Sequence, residues 1–227
     1  MTTTSTTRTL TVGALIGVFA IGGCASLSNT ERGGLIGAAA GAAAGAAIGN
    51  NNGGTAQGAI IGAALGGTAG AIIGRRMDQK AEELERRLEN AEVERVGEGI
   101  LITFDSGILF DFDASDLRPA ARTNLSQLAV TLEDMEEDAI LMVAGHTDSV
   151  GQESYNLRLS ERRAEAAANY VVSAGLPRSN VRAVGLGESE PVATNETEAG
   201  RQDNRRVEVA IYASEAYQQE VLSRGGS

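Results

Sequence analysis

The sequence predicts an α+β fold, an α/β sandwich, for its C-terminal half (residues 97–214). Three observations predict it. Short apolar runs at 100–104, 139–145, 181–184 and 206–212 alternate with two helical patterns. The run at 139–145 is almost wholly apolar, as expected of a strand buried on both faces. Proline and glycine punctuate the helices where starts and stops belong: Pro119 opens one, and Gly175 followed by Pro177 closes the other.

Residues 1–23 read as an export signal, with Arg8 ahead of an apolar run at 10–21 that is shorter than the roughly 20 residues a spanning helix needs. The ending Ile21-Gly22-Gly23-Cys24 resembles a bacterial lipobox, in which the cysteine is lipidated and becomes the mature N-terminus. Several acyl chains on Cys24 would anchor the chain at about 0.8 kcal/mol per buried methylene. The competing reading is a plain signal peptide with an incidental cysteine. Residues 24–32 then form a lipidated tether, and Ala25-Ser26 resemble sorting signals for the outer membrane.

Residues 33–76 are of different material. Glycines recur at every fourth position, from 33 to 49 and again from 54 to 74, around Asn50-Asn51-Asn52-Gly53. That spacing puts each row on one side of a helix, where backbones approach closely. In water each glycine would weaken such a helix by up to about 1 kcal/mol. The rows therefore suggest two helices of a hairpin in an apolar or tightly packed setting, and they resemble the glycine-zipper segments of bacterial envelope proteins. A flexible low-complexity linker is the rival reading. From 77 to 96 the chain turns charged, and Met77, Ala81, Leu84, Leu88 and Ala91 make a heptad-like stripe, which predicts a spacer helix.

Within the domain, 100–104 is a strand and 109–112 a short extended run. A helix from Pro119 carries Leu125, Leu128 and Leu132 on one side. After the strand at 139–145, a helix spans 157–174. Strands follow at 181–184 and 206–212, the last with Val207, Val209 and Ile211 inward. Residues 215–227 are left as a tail.

Bulk chemistry excludes several functions. A net charge of −11 disfavours nucleic acid as a partner. One cysteine rules out an intrachain disulfide and a multi-cysteine metal cluster, one histidine leaves little material for a histidine-based metal site, and no metal or cofactor is expected. "DFDASD" from Asp111 to Asp116 starts like a calcium loop but has Asp116 where glycine is needed and Arg122 where glutamate is needed.

The chemistry-bearing stretch is "GHTDSVGQESYNLRLSERRA", from Gly145 to Ala164. Asp148 lies just past the end of a buried strand, where open α/β sheets commonly bind ligands. Asn156 and Arg163 are seven apart and share one side of the next helix. Arg158 and Arg162 each have a glutamate three residues on, Glu161 and Glu165; Arg163 has no acid on its own helix. An arginine of that kind facing a loop acid suits a zwitterionic ligand, because guanidinium grips a carboxylate through two hydrogen bonds.

Together with "FDFDASDLRPAA" and "GRQDNRRVEVAI", this stretch resembles the three signature blocks of the OmpA-like C-terminal domain family, in the family's order and over about residues 97–213. The resemblance implies a βαβαβ-type topology with a mixed sheet and two main helices. It also implies noncovalent binding of the diaminopimelate of uncrosslinked peptidoglycan stem peptides. Asp148 and Arg163 fall on the family's principal ligand-binding pair, and Asn156 and Leu157 on the start of its "NxxLSxxRA" block. Asp111, Phe112 and Asp113 fall in the loop closing the pocket. His146, Asn204, Arg205 and Arg206 are expected to give structural support.

A Ser-His-Asp reading of His146, Asp148 and a nearby serine lacks the G-x-S-x-G elbow, so the chain is not expected to be an enzyme. Two functions are weighed. One is an outer-membrane lipoprotein, on the periplasmic face, that tethers the envelope to peptidoglycan. The other is a membrane structural or channel-like protein that forms homo-oligomers through the glycine hairpin and is positioned by its wall-binding domain.

Overall fold

The computed structural model describes residues 54–225. The signal segment, Cys24, the tether, the first glycine row and the Asn–Gly turn lie outside the described residues. In chain order the elements are α1 (Gly54–Gly62), α2 (Gly67–Arg87), β1 (Ala91–Val96), β2 (Gly99–Asp105), a one-turn α3 (Ser106–Leu109) and α4 (Pro119–Thr131). They continue as β3 (Ala139–His146), α5 (Glu153–Ser173), β4 (Val181–Gly187), α6 (Glu198–Asn204), β5 (Arg206–Ala213) and α7 (Glu215–Gly225).

The five strands form one mixed sheet in the order β1-β2-β5-β3-β4. Only β3 and β4 run parallel, joined by the crossover helix α5; β1/β2, β2/β5 and β5/β3 are antiparallel. β1 is an outermost strand, and its Glu92 and Glu94 are exposed.

One face of the sheet carries the main core. Ile102, Phe104, Val143, Val207 and Val209 pack there against Met77 and Leu84 of α2, Leu125 and Leu128 of α4, and Ala164, Ala168 and Val171 of α5. Each of these side chains larger than alanine contributes about 1.5–3 kcal/mol by leaving water. The opposite face is covered by α1, whose Ala56, Ala59 and Ile60, with Ala63 just after it, pack on Ile140, Ala144, Ala210 and Tyr212. β5 is thus buried along its whole length, not on the Val207-Val209-Ile211 side alone. Pro119 does stand at the start of α4, and β3 is buried on both faces.

The second glycine row departs from one continuous helix. It breaks between α1 and α2, where Gly66 and Gly67 adopt φ of 70° and 65°, a region costly for residues with a Cβ. At Gly70 the helix admits the Glu98 carboxylate, 1.9 Å from where a Cβ would stand, and that carboxylate accepts the Leu65 and Gly66 N–H groups at 2.9 and 2.7 Å. No described helix is long and apolar enough to cross a membrane.

The expected spacer helix over 77–96 is corrected. α2 ends at Arg87, with Leu88 extended and Asn90 at φ 54°, and 91–96 is β1. Asn124 of α4 fixes this exit by bonding Glu89 N–H and C=O at 3.0 and 2.9 Å. The run at 109–112 is not a strand; α3 ends at Leu109, and Phe110 makes a lone bridge to Leu117. α5 starts at Glu153, ahead of the expected 157. The tail is a helix through Gly225, with Tyr217 and Val221 buried against the core.

Candidate functional site

Two loops and two helix starts converge at the C-terminal end of β3. A cleft of about 720 Å³ opens there, lined by Phe110–Asp113 and Arg118 before α4, Thr147, Asp148 and Val150 after β3, and Tyr155, Asn156 and Arg163 of α5. Glu198, Arg201, Gln202 and Arg205 close its far side.

Arg163 is 6% exposed. Its Nε donates to the Ala114 carbonyl at 2.8 Å and Nη2 to the Asp111 carbonyl at 3.4 Å, and its guanidinium lies over the Phe110 ring at 5.2 Å from the centroid. Burial lowers its pKa below the ordinary arginine value, against the fields of Asp113 and Tyr155, while Arg162 and Arg205 lower it further. It stays charged, as arginines do. Arg163 therefore holds the 111–114 loop while presenting a desolvated cation to the cleft. Tyr155 Oη also donates to Asp113, whose φ of 58° bends that loop. Phe112 stands fully exposed at the rim.

The pairing of Asp148 differs from expectation. Asp148 is 8% exposed. Its Oδ2 accepts from Arg205 Nη1 at 2.6 Å and its Oδ1 from Val150 N–H at 2.9 Å; Arg163 does not pair with it. Arg205 Nη2 also donates to Glu198 at 2.7 Å and to Gln202 at 2.6 Å. Arg205, expected in a supporting role, thus lines the cleft. Its pKa is raised: burial opposes this, and the Asp148 and Glu198 hydrogen bonds outweigh burial.

Asn156, 3% exposed, shapes the Asp148 loop. Its amide nitrogen donates to the carbonyls of Asp148 and Val150 at 3.2 Å each and to Glu188 Oε2 at 2.6 Å. Leu157, expected with it, is 41% exposed and lies outside the cleft lining, because the next position on the helix turns away from the sheet.

The remaining residues stand behind the cleft. Asn204 is fully buried; its oxygen accepts the Val192 and Ala193 N–H groups at 2.8 and 3.0 Å, fixing the loop that leads to α6. Arg206 and Glu208 pair at 2.7 Å on the α1 side of β5, with His146 Nε2 3.8 Å from the second Glu208 oxygen. Neither ring nitrogen of His146 has a hydrogen-bond partner, so no serine hydroxyl is coupled to it. Tyr155, Arg118, Glu188, Glu198 and Arg201 were not singled out by sequence; the weak signal for the last two was Glu198 three residues before Arg201.

A family model described as the OmpA family matches residues 109–205, and one described as YMGG-like Gly-zipper matches residues 1–78. Outer membrane protein A of Bordetella avium is 42% identical over 113 residues, which are 50% of this chain and 58% of that protein. Outer-membrane lipoprotein YfiB of Pseudomonas aeruginosa is 42% identical over 116 residues, 51% of this chain and 68% of that one. The chain thus spans little more than half the length of the first of these relatives. Among solved structures, the cell wall anchor of the T6SS from Pseudomonas aeruginosa aligns with a TM-score of 0.52 at 26% identity, covering 61% of this chain and 98% of that one. The mixed sheet and the matched cleft-forming segments agree with these likenesses: the chain belongs to the OmpA family through its C-terminal domain, with a YMGG-like Gly-zipper segment ahead of it.

Proposed function

We propose that this chain is an outer-membrane lipoprotein, acylated at Cys24, whose C-terminal domain binds peptidoglycan noncovalently and tethers the envelope to the cell wall from the periplasmic face. The ligand is the free amino-acid end of diaminopimelate in an uncrosslinked stem peptide. Its carboxylate meets Arg163 and its ammonium meets Asp148.

The observation that carries this reading is the state of Arg163. It is a nearly buried guanidinium whose own hydrogen bonds go to two carbonyls, with no carboxylate partner among the described residues. Burying a charge is costly unless it is paired, and a carboxylate taking two parallel N–H bonds supplies that pair. Asp148 supplies the opposite sign, held in place by Val150 N–H and Asn156. Similarity to a cell wall anchor adds support of the same kind. No atom in this scheme is transferred; the cleft binds and releases.

The test is sedimentation of the full chain, in detergent, with isolated sacculi. Asp148→Ala and Arg163→Ala should each lose most of the bound fraction. Equal sedimentation of wild type and both variants would sink the assigned site. Self-association through the glycine hairpin is less favoured, because Ala56, Ala59 and Ile60 of the second glycine-rich segment pack on the domain's own sheet.

A further inference from the structure

The turn after β4 holds two carboxylates that face in different directions. Glu188 Oε2 accepts from Asn156 at 2.6 Å, and Asn156 in turn holds the carbonyls of Asp148 and Val150. Two residues on, Glu190 is 9% exposed and points to α1 on the other side of the sheet. Its Oε2 accepts the Thr55 N–H at 3.0 Å and its Oε1 the Thr55 hydroxyl. A carboxylate at a helix N-terminus satisfies orphan amides and complements the dipole. The far end of α1 is held by Gln218 of α7, which donates to the Ala63 carbonyl at 3.1 Å.

Thr55 is the second residue of α1, and residues 1–53, Cys24 among them, precede that helix. Among the described residues, the Thr55–Glu190 hydrogen bonds are the first that the chain makes with the domain. Between that contact and the Asp148 loop lie one short turn, pinned by Ser189 N–H to the Leu186 carbonyl at 3.2 Å, and one asparagine.

We propose that Glu190 and Thr55 are positioning residues for the cleft: docking of the zipper helix α1 sets, through Glu188 and Asn156, the geometry of the Asp148 loop and hence the affinity for the wall peptide. The inference rests on the ligand reading given above for its last step only. Docked α1 gives the tighter cleft, and strain that lifts Thr55 from Glu190 gives the weaker one.

The experiment uses the full chain in detergent micelles with two readouts. One is calorimetric binding of a soluble disaccharide tripeptide ending in meso-diaminopimelate. The other is hydrogen exchange at the Val150 amide, which donates to Asp148. Thr55→Val and Glu190→Gln are expected to weaken binding about threefold to tenfold and to speed Val150 exchange. Thr55→Ser, which keeps the hydroxyl, should match wild type. Adding Glu188→Gln to Glu190→Gln should cost less than the two single effects combined. Wild-type binding and exchange in both weakening variants would overturn the proposal, as would faster exchange spread through Val143 and Val209, which would mark general unfolding. If the wild type takes no muropeptide while Val150 exchange still responds, the coupling stands and the ligand reading falls.

Discussion

Arg205 reaches across from just before β5 to place its guanidinium 2.6 Å from Asp148, so the acid of the cleft already has one cation beside it within the fold. Asp148 is nearly buried, and removing one partner of such a pair leaves an uncompensated charge. Arg205→Ala should therefore destabilise the chain by about 1–3 kcal/mol in urea unfolding, and much of that loss should vanish when Asp148→Asn is already present. Additive losses would show that the pair is not coupled.

Charge alone should not serve at the other side of the cleft. Arg163 bonds two carbonyls and stacks on Phe110 with a planar group. Arg163→Lys keeps the charge but loses the fork. Binding to sacculi should weaken about tenfold or more, read as the wall concentration needed for half-sedimentation. Near-wild-type binding would mean that the cation acts as a point charge.

Acid should act through Glu208. Burial would raise its pKa, but His146 and Arg206 outweigh burial and hold it below its ordinary 4.5. A carboxylate depressed in the folded state stabilises it above the unfolded pKa, and that stability is lost as pH falls through the folded value. The melting temperature should drop as pH is lowered from 4.5 downward, and Glu208→Gln should flatten the profile over that range. An unchanged slope in the variant would remove Glu208 as the cause.

The placement of α5 depends on a close approach. A Cβ on Gly145 would stand 2.4 Å from the Ser160 carbonyl oxygen, inside any tolerable contact. Gly145→Ala should push α5 outward, destabilising by about 1–3 kcal/mol and weakening sacculus binding, since Asn156 and Arg163 ride on that helix. A melting curve paired with sedimentation separates the two effects.

Local signals made much of this legible. Pro119 marked the start of α4, the unbroken apolar run marked β3, and helical spacing put Asn156 and Arg163 on one side. That Arg163 would lack a carboxylate partner on its own helix was readable from the spacing of the acids around it. What failed was nonlocal. β1 looked helical because a heptad stripe continues into Ala91, and only Asn124, 35 positions away from Glu89, shows where α2 ends. Arg205 looked like support because its place depends on strand order. The β3–β5 register pairs Gly145 with Val207, so the chain just before β5 runs beside the chain just after β3, and Arg205 meets Asp148 there. Leu157 failed for a simpler reason, a block match carried one residue too far around the helix.

The outermost strand has a consequence for neighbouring copies. Among the described residues, β1 presents an unpaired hydrogen-bonding edge with Glu92 and Glu94 exposed on it. Two such edges meeting antiparallel, faces aligned, would set carboxylates beside carboxylates, which is unfavourable. Along β1, two copies would thus repel where their sheets could otherwise join, which disfavours pairing through that edge.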